Sequence, residues 1–235
     1  MLDCISVENM RQSDAYTIEH LIPSLELMYR AAYGVFLAHQ WENAVAIVAG
    51  SGNNGGDGYA LACILKEHQI ACTVFTIGNK RSSDSEFYAN KAALLDIAIL
   101  PFAPGCLDNY AIVVDCLLGT GFQGTVRQDY RVAIEEINKA NAFVLSVDIN
   151  SGMNGDSGKC EIAVQSDLTV TIGYVKHGLV SSHAGAYMKR LICADIGITL
   201  VKEEKQICRC EEYTELDHNK ICCPPWLEIE PIKAF

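Results

Sequence analysis

Long apolar runs are missing from this 235-residue chain: none approaches the roughly 20 residues that a bilayer-crossing helix requires. Positive charge is scarce as well, with 18 Lys and Arg against 29 Asp and Glu and a formal net charge of -11. Phosphate backbones are held mainly by clustered Lys and Arg, so neither nucleic acid nor membrane is an expected partner. The "NKR" at 79–81 is the local exception. The opening "MLDCISVENMRQSD" lacks the basic-then-apolar pattern of a secretory signal, which makes cytoplasmic residence the expectation. Regular cysteine spacing is absent too. Eleven cysteines, an odd number, are scattered from Cys4 to Cys223, so reduced thiols are expected rather than a disulfide framework.

What the chain does have is a core. Half of its residues are hydrophobic, enough for one sizeable α/β domain or two small ones. An i, i+4 stripe of Leu27, Ala31 and Val35, flanked by Met28, Ala32 and Phe36, predicts a helix over 24–39, preceded by one over 7–21. Short β-branched runs then alternate with helical stretches. "AVAIVAG", "IACTVFTIG", "AIVVDCLLG", "AFVLSVDI", "LTVTIG" and "RLICADIGI" read as strands, and 58–68, 84–96 and 129–141 as helices. Such alternation predicts crossover units and an α/β fold of Rossmann-like, three-layer α/β/α type with a largely parallel central sheet.

Ligands of such sheets bind at the carboxyl ends of the strands, and three polar, glycine-bearing loops follow three of these strands. They are "GSGNNGGDG" at 50–58, "DCLLGTGFQGT" at 115–125 and "DINSGMNGDSG" at 148–158. One such loop is adequately explained as a tight turn; three opening on one sheet edge indicate a site. The first contains Gly50-x-Gly52-x-x-Gly55, the glycine spacing of a dinucleotide fingerprint. A redox fold of that type also needs an acidic residue to hold the ribose roughly 20 residues later, where this chain reads "TIGNKRSSD". Asn53, Asn54 and Asp57 instead offer side-chain oxygens suited to a hard cation or a polar ligand.

In order and separation, "GSGNNGGDGYALA", "VVDCLLGTGFQG", "SVDINSGMNGDSG", "TVTIGYVKHGL" and "ADIGI" resemble the NAD(P)H-hydrate epimerases, the YjeF N-terminal domain family, over about residues 5–198. That family interconverts the R and S epimers of NADH or NADPH hydrated across the nicotinamide ring, and an ADP- or ATP-dependent dehydratase then restores the coenzyme. The resemblance implies potassium, one per subunit, on Asn54, Asp115 and Ser151. It implies hydrate binding by Asn53, Asn54, Gly55, Gly56 and Asp57, by Gly119, Thr120, Gly121, Phe122, Gln123, Gly124 and Thr125, and by Asp148. It also implies a catalytic acid/base at Asp148 and a homodimer. Asn150 stands where the resembled motif has a proline, and "LMYRAA" at 27–32 where many relatives read "LMENAG".

The chemistry suits these residue types. One ring carbon of the hydrate carries both a hydroxyl and the ring nitrogen; protonating the hydroxyl lets the nitrogen lone pair expel water and leaves a planar iminium that water re-enters from either face. One carboxyl that gives and retakes a proton serves both halves, with Asp57 as the second candidate. Asp115 and Asp148 also have a plain reading as turn caps at strand ends, and Lys176 and His177 as solvated loop residues, Lys176 having a second reading as a contact to the ligand's phosphates. No nucleophile-elbow pattern surrounds Ser151.

From 199 to 235 the character changes to a charged, cysteine-rich extension, set apart from an epimerase domain at 1–198. Cys208, Cys210, Cys222, Cys223 and His218 match no common zinc spacing, so free thiols are expected there. Every resembling motif lies before 199, so the extension is expected to be dispensable. It is too short for a dehydratase domain, which leaves a standalone epimerase or a truncated product. Similar domains serve dimerisation in RNA-decapping assembly factors, so a non-catalytic scaffold is the competing function.

Overall fold

The computed structural model describes residues 2–78, 80–208 and 219–235. Five helices are present among them: α1 (Val7–His20), α2 (Ser24–Leu37), α3 (Asn53–Glu67), α4 (Ser83–Leu94) and α5 (Gln128–Lys139). The strands are β1 (Asp3–Ile5), β2 (Val45–Ala49), β3 (Cys72–Thr76), β4 (Ala98–Pro101), β5 (Ile112–Cys116), β6 (Phe143–Val147), β7 (Leu168–Ile172), β8 (Val175–Lys176), β9 (Leu191–Asp195), β10 (Lys205–Cys208), β11 (Lys220–Cys222) and β12 (Ile229–Lys233). Among the described residues no helix is long and apolar enough to cross a membrane.

Eight strands form one sheet in the order β12-β9-β7-β6-β5-β2-β3-β4, and every pairing in it is parallel. Alternation along β2 shows how the sequence builds the layers. Val45, Ile47 and Ala49 pack with α2, α3 and α4 on one face. Ala46 and Val48 pack with Tyr130, Ala133, Ile134 and Ile137 of α5 on the other. A strand buried on both faces reads as a continuous apolar run because helices cover both sides. This is the expected α/β/α arrangement.

A second, four-stranded sheet, β11-β10-β1-β8, lies beside the first. It joins the chain's beginning to its last third: Cys4 pairs with Val175 on one side and with Lys205 on the other. Such strands of two to four residues carry too little periodicity to be read locally. The exposed strand β4 was equally invisible; it sits at the sheet edge, where its Pro101 removes no needed ladder bond.

One helix boundary and one thiol expectation are revised. Helix α3 begins at Asn53, five residues before the predicted start, with the Gly56 amide already bonded to the Gly52 carbonyl at 3.2 Å. Glycine propensity argues for a loop, but tertiary contact overrides it. A Cβ on Gly58 would sit 3.0 Å from both Cys116 and Ile47, so the glycines let the helix lie close on β2 and β5. The extension after 198 is seated on the fold: β12 pairs with β9 throughout, Ile229 opposite Leu191 to Lys233 opposite Asp195. Thiols are retained at Cys208 and Cys223 but not at Cys222, which is disulfide-bonded. Asn79, Cys210 and His218 lie outside the described residues.

Candidate active site

The three glycine-bearing segments meet at the carboxyl ends of β2, β5 and β6, around a cavity of about 770 Å³. Asn53, Asn54 and Asp57 reach it from the first turns of α3; Gly119, Thr120, Gly121, Phe122, Gln123 and Thr125 from the segment after β5; and Asp148 from the turn after β6. Met10, Arg11 and Asp14 of α1, with Leu27, Met28 and Ala31 of α2, close it from the side. The "LMYRAA" segment is thus part of its wall. Of the expected ligand-binding residues, Gly55, Gly56 and Gly124 do not line it; Gly55 and Gly56 are buried within the first turn of α3. Asp115 and Ser151 lie fully buried below its floor.

Asp148 is the centre of the arrangement. Its backbone takes φ +68°, a left-handed conformation in which non-glycine residues are uncommon and often functional. That turn aims the carboxylate between two donors. The Thr120 amide donates to Oδ2 at 2.9 Å and the Lys176 ammonium to Oδ1 at 2.6 Å. Lys176 has no exposed surface, and its remaining donors go to Thr171 Oγ1 at 3.0 Å and the Ile172 carbonyl at 2.7 Å. The ammonium is therefore committed to Asp148 and to β7 at the edge of the cavity, which corrects the reading of Lys176 as a solvated loop residue. His177 turns away, toward the Cys4 carbonyl at 3.2 Å and Glu204 at 3.3 Å.

Two more carboxyl groups share the cavity. Asp57 is partly open to it but otherwise enclosed by protein, and burial, then the charges of Asp148 and Asp14, push its carboxyl well above the usual carboxylate range against a smaller opposing pull from Lys176. Burial followed by Asp148 also raises Asp14. Asp14 was missed from sequence because α1 is a polar helix whose residues give no sign of facing a site built by loops a hundred residues later.

Beneath the floor, Asp115 accepts four hydrogen bonds. The Leu117 amide at 3.2 Å and the Ser151 hydroxyl at 2.5 Å donate to Oδ1, the Ser146 hydroxyl at 2.9 Å and the Ser151 amide at 3.0 Å to Oδ2. These pull its carboxyl down, yet burial is the larger effect and the net shift is upward. Ser151 also accepts from the Leu118 amide at 2.8 Å, so Asp115 and Ser151 staple the β5 and β6 loops together. Asn54 differs from both. Its side-chain oxygen and nitrogen are buried, and neither has a hydrogen-bond partner among the described residues, a costly state for an amide unless something else binds there.

The glycine spacing has a packing explanation. A Cβ on Gly50 would lie 2.0 Å from the Leu117 carbonyl oxygen, and one on Gly55 would lie 2.1 Å from the Gly50 carbonyl oxygen. Both glycines close the strand-to-helix turn against its neighbour. Gly119 serves the acid instead. A Cβ there would meet Asp148 Oδ2 at 2.9 Å and Asn54 Cβ at 3.3 Å, so its absence lets the second loop lie directly on the carboxylate.

The chain is similar to known proteins of one family. The family described as YjeF-related protein N-terminus matches residues 24–178. An NAD(P)H-hydrate epimerase of Limosilactobacillus fermentum is 39% identical over 199 residues, 81% of this chain and 95% of that protein. One of Lentilactobacillus buchneri is 33% identical over 84% of this chain and 96% of its own length. The bifunctional NAD(P)H-hydrate repair enzyme Nnr of Coxiella burnetii is 36% identical over 81% of this chain, which spans 40% of that longer protein. The crystal structure of yeast YNL200c superposes with a TM-score of 0.67 at 22% identity, covering 75% of this chain and 83% of that one, and so shares the fold. With its site loops on that fold and both kinds of relative matched over most of their common length, the chain belongs to the YjeF-related protein N-terminus family.

Proposed function

We propose that this protein is an isomerase that interconverts the R and S epimers of hydrated NADH and NADPH, a repair step that feeds a dehydratase. The observation that carries the reading is Asp148: a carboxylate in a small-molecule-sized cavity, at φ +68°, with each oxygen held by a separate donor. Relatives of this chain are NAD(P)H-hydrate epimerases and, in longer form, bifunctional repair enzymes, which supports both the substrate class and the functional link to the dehydratase. Asp148 moves the proton: in its protonated form it gives the proton on which the hydrate hydroxyl leaves as water, and as the carboxylate so formed it takes one back from the water that returns. The Thr120 amide and the Lys176 ammonium fix the direction of its lone pairs, and the apolar α2 wall at Leu27, Met28 and Ala31 limits access of bulk water to the planar intermediate.

A monovalent cation suits the oxygens that Asn54 in the cavity wall and Asp115 and Ser151 below the floor carry. Asn54 has an orphaned buried oxygen, and Asp115 and Ser151 contribute further oxygens of the hard type that potassium prefers. Potassium held by these three would supply a fixed positive charge that orders the loops after β2, β5 and β6. We assign the protein to the cytoplasm as a homodimer on the same reading.

Incubating the purified protein with a single hydrate epimer tests the function. The expected outcome is rapid appearance of the other epimer, without net formation of NADH, faster in potassium than in sodium buffer. A rate equal to the enzyme-free control overturns the activity, and indifference to potassium overturns the cation site alone.

A further inference from the structure

We infer that Asn150, two residues beyond the acid/base, is a positioning residue whose buried side chain holds the Asp148 turn in its productive shape. The inference rests on the epimerase reading and adds a residue to it.

Asn150 is fully buried, and its amide is saturated. Its nitrogen donates to the Val164 carbonyl at 2.9 Å, Ser166 Oγ at 3.0 Å and the Tyr187 carbonyl at 2.8 Å, and its oxygen accepts from Thr169 Oγ1 at 2.7 Å. Ser166 and Thr169 are themselves hydrogen-bonded at 2.9 Å. One side chain thus ties the turn after β6 to strand β7, to the segment before β7 and to the segment before β9. Few residues could do so, because the pocket presents three acceptors, which share the two N–H groups of the amide, and one donor, which its oxygen accepts.

This anchoring matters because the turn is conformationally unusual. Asp148 sits at φ +68°, and a non-glycine residue keeps such a conformation only where its surroundings over-determine it. On the upstream side the Asp148 amide is bound to the Val170 carbonyl at 2.8 Å. Downstream, the Ser151 amide and hydroxyl are bound to Asp115. Asn150 lies between these fixed points and is the side chain that pins the backbone connecting them. If it relaxes, the Asp148 carboxylate shifts relative to Thr120 and Lys176, which belong to other segments and do not follow.

The test compares three full-length variants, Asn150→Ala, Asn150→Pro and Thr169→Val, for melting temperature and for kcat and KM per folded site with one purified hydrate epimer. All three leave buried polar groups unpaired, so all three should melt lower than wild type. Catalysis should separate them. Asn150→Ala frees the turn and should lose roughly 10²-fold in kcat with KM changed only a few-fold, the size of effect that a displacement near 1 Å produces. Asn150→Pro loses the same hydrogen bonds but fixes φ through its ring, as the proline of the resembled motif does, and should recover kcat to within about tenfold of wild type. Thr169→Val, which removes one of the Asn150 bonds together with the Ser166 bond, should show a smaller kcat loss in the same direction. Wild-type kcat in Asn150→Ala, or equal kcat losses in Asn150→Ala and Asn150→Pro, overturns the positioning role in favour of a merely structural one. Should Asn150→Ala fail to fold, unchanged kcat in Thr169→Val overturns it. An inactive wild-type protein refutes the epimerase reading instead, so the two failures are distinguishable.

Discussion

A lysine removed from water needs partners for all of its charge, and Lys176 finds them in Asp148, Thr171 and Ile172. Breaking a buried ion pair by deleting one partner typically costs about 3–5 kcal/mol, because the other charge is left uncompensated. Lys176→Met should therefore melt far below wild type and lose most of its kcat, whereas a lysine that only contacted substrate phosphates would raise KM and leave the melting temperature alone. Thermal melts and steady-state kinetics on one preparation decide between these. Asp57 makes the opposite prediction about stability. Its carboxyl is raised in the folded protein by burial and by Asp148 and Asp14, with Lys176 opposing, so the native state binds more protons than the unfolded one at pH values between the unfolded pKa of about 3.9 and the raised value. Stability from this group is full below the unfolded pKa and is lost as pH rises through the folded one. Asp57→Asn abolishes that loss, so its stability relative to wild type should rise as pH increases from about 4; a difference constant with pH would contradict it. Asp148 and Asp57 were both visible in the sequence as polar residues among glycines. Lys176 was visible only as a loop lysine, because its role depends on burial that no local pattern encodes.

At the scale of elements, the site is assembled from segment ends packed too closely for side chains. Gly119 is the clearest case. Adding a methyl group 2.9 Å from Asp148 Oδ2 and 3.3 Å from Asn54 Cβ forces a shift of the loop after β5 or of the acid itself, and overpacking of this kind costs about 1–3 kcal/mol. Gly119→Ala should thus reduce kcat/KM much more than its modest drop in melting temperature would suggest, since the atom displaced is the reacting one; retained kcat/KM would show that the loop yields freely. The parallel sheet and its helices were legible because 3.6-residue and two-sided apolar patterns extend over whole elements, as in α2 and β2. The start of α3 was not, because "NNGGDG" has loop propensity and becomes helical only against Ile47 and Cys116. Strands of two to four residues such as β1 and β8 exist only through partners far along the chain. The Asn150 network shows the same limit: a proline-to-asparagine departure is readable, but not the four bonds that replace the ring.

For the whole molecule, the extension after 198 is part of the architecture. β12 adds the eighth strand to the central sheet, Ala234 packs near Gly34, and the Arg30 guanidinium stacks over Phe235 at 5.0 Å. Residues 199–204 run along α1, where the Thr199 and Val201 amides bond to Thr17 and Ser13, and Glu204 receives the Ser6 amide and hydroxyl. Truncation after Ile198 therefore exposes β9 as a new edge and releases the first helix. The expected result is a lower melting temperature and self-association, readable by light scattering; a monodisperse, equally stable fragment would show these contacts to be dispensable. The motif-based boundary at 198 followed chemistry, and strand pairing does not respect it.

The short strand β1 has a consequence for the order in which the molecule comes together during synthesis. Its partners, Val175 and Lys176 on one side and Lys205 and Gln206 on the other, leave the ribosome well over a hundred residues after it, and loops of that length close late. Helix α1, which follows β1 and carries Met10, Arg11 and Asp14 to the cavity wall, is thus among the last elements to be docked. A nascent chain can complete its parallel sheet from β2 to β7 while the cavity remains open on that side. That side closes once β8 and β10 have been made and can clamp the much earlier β1 between them.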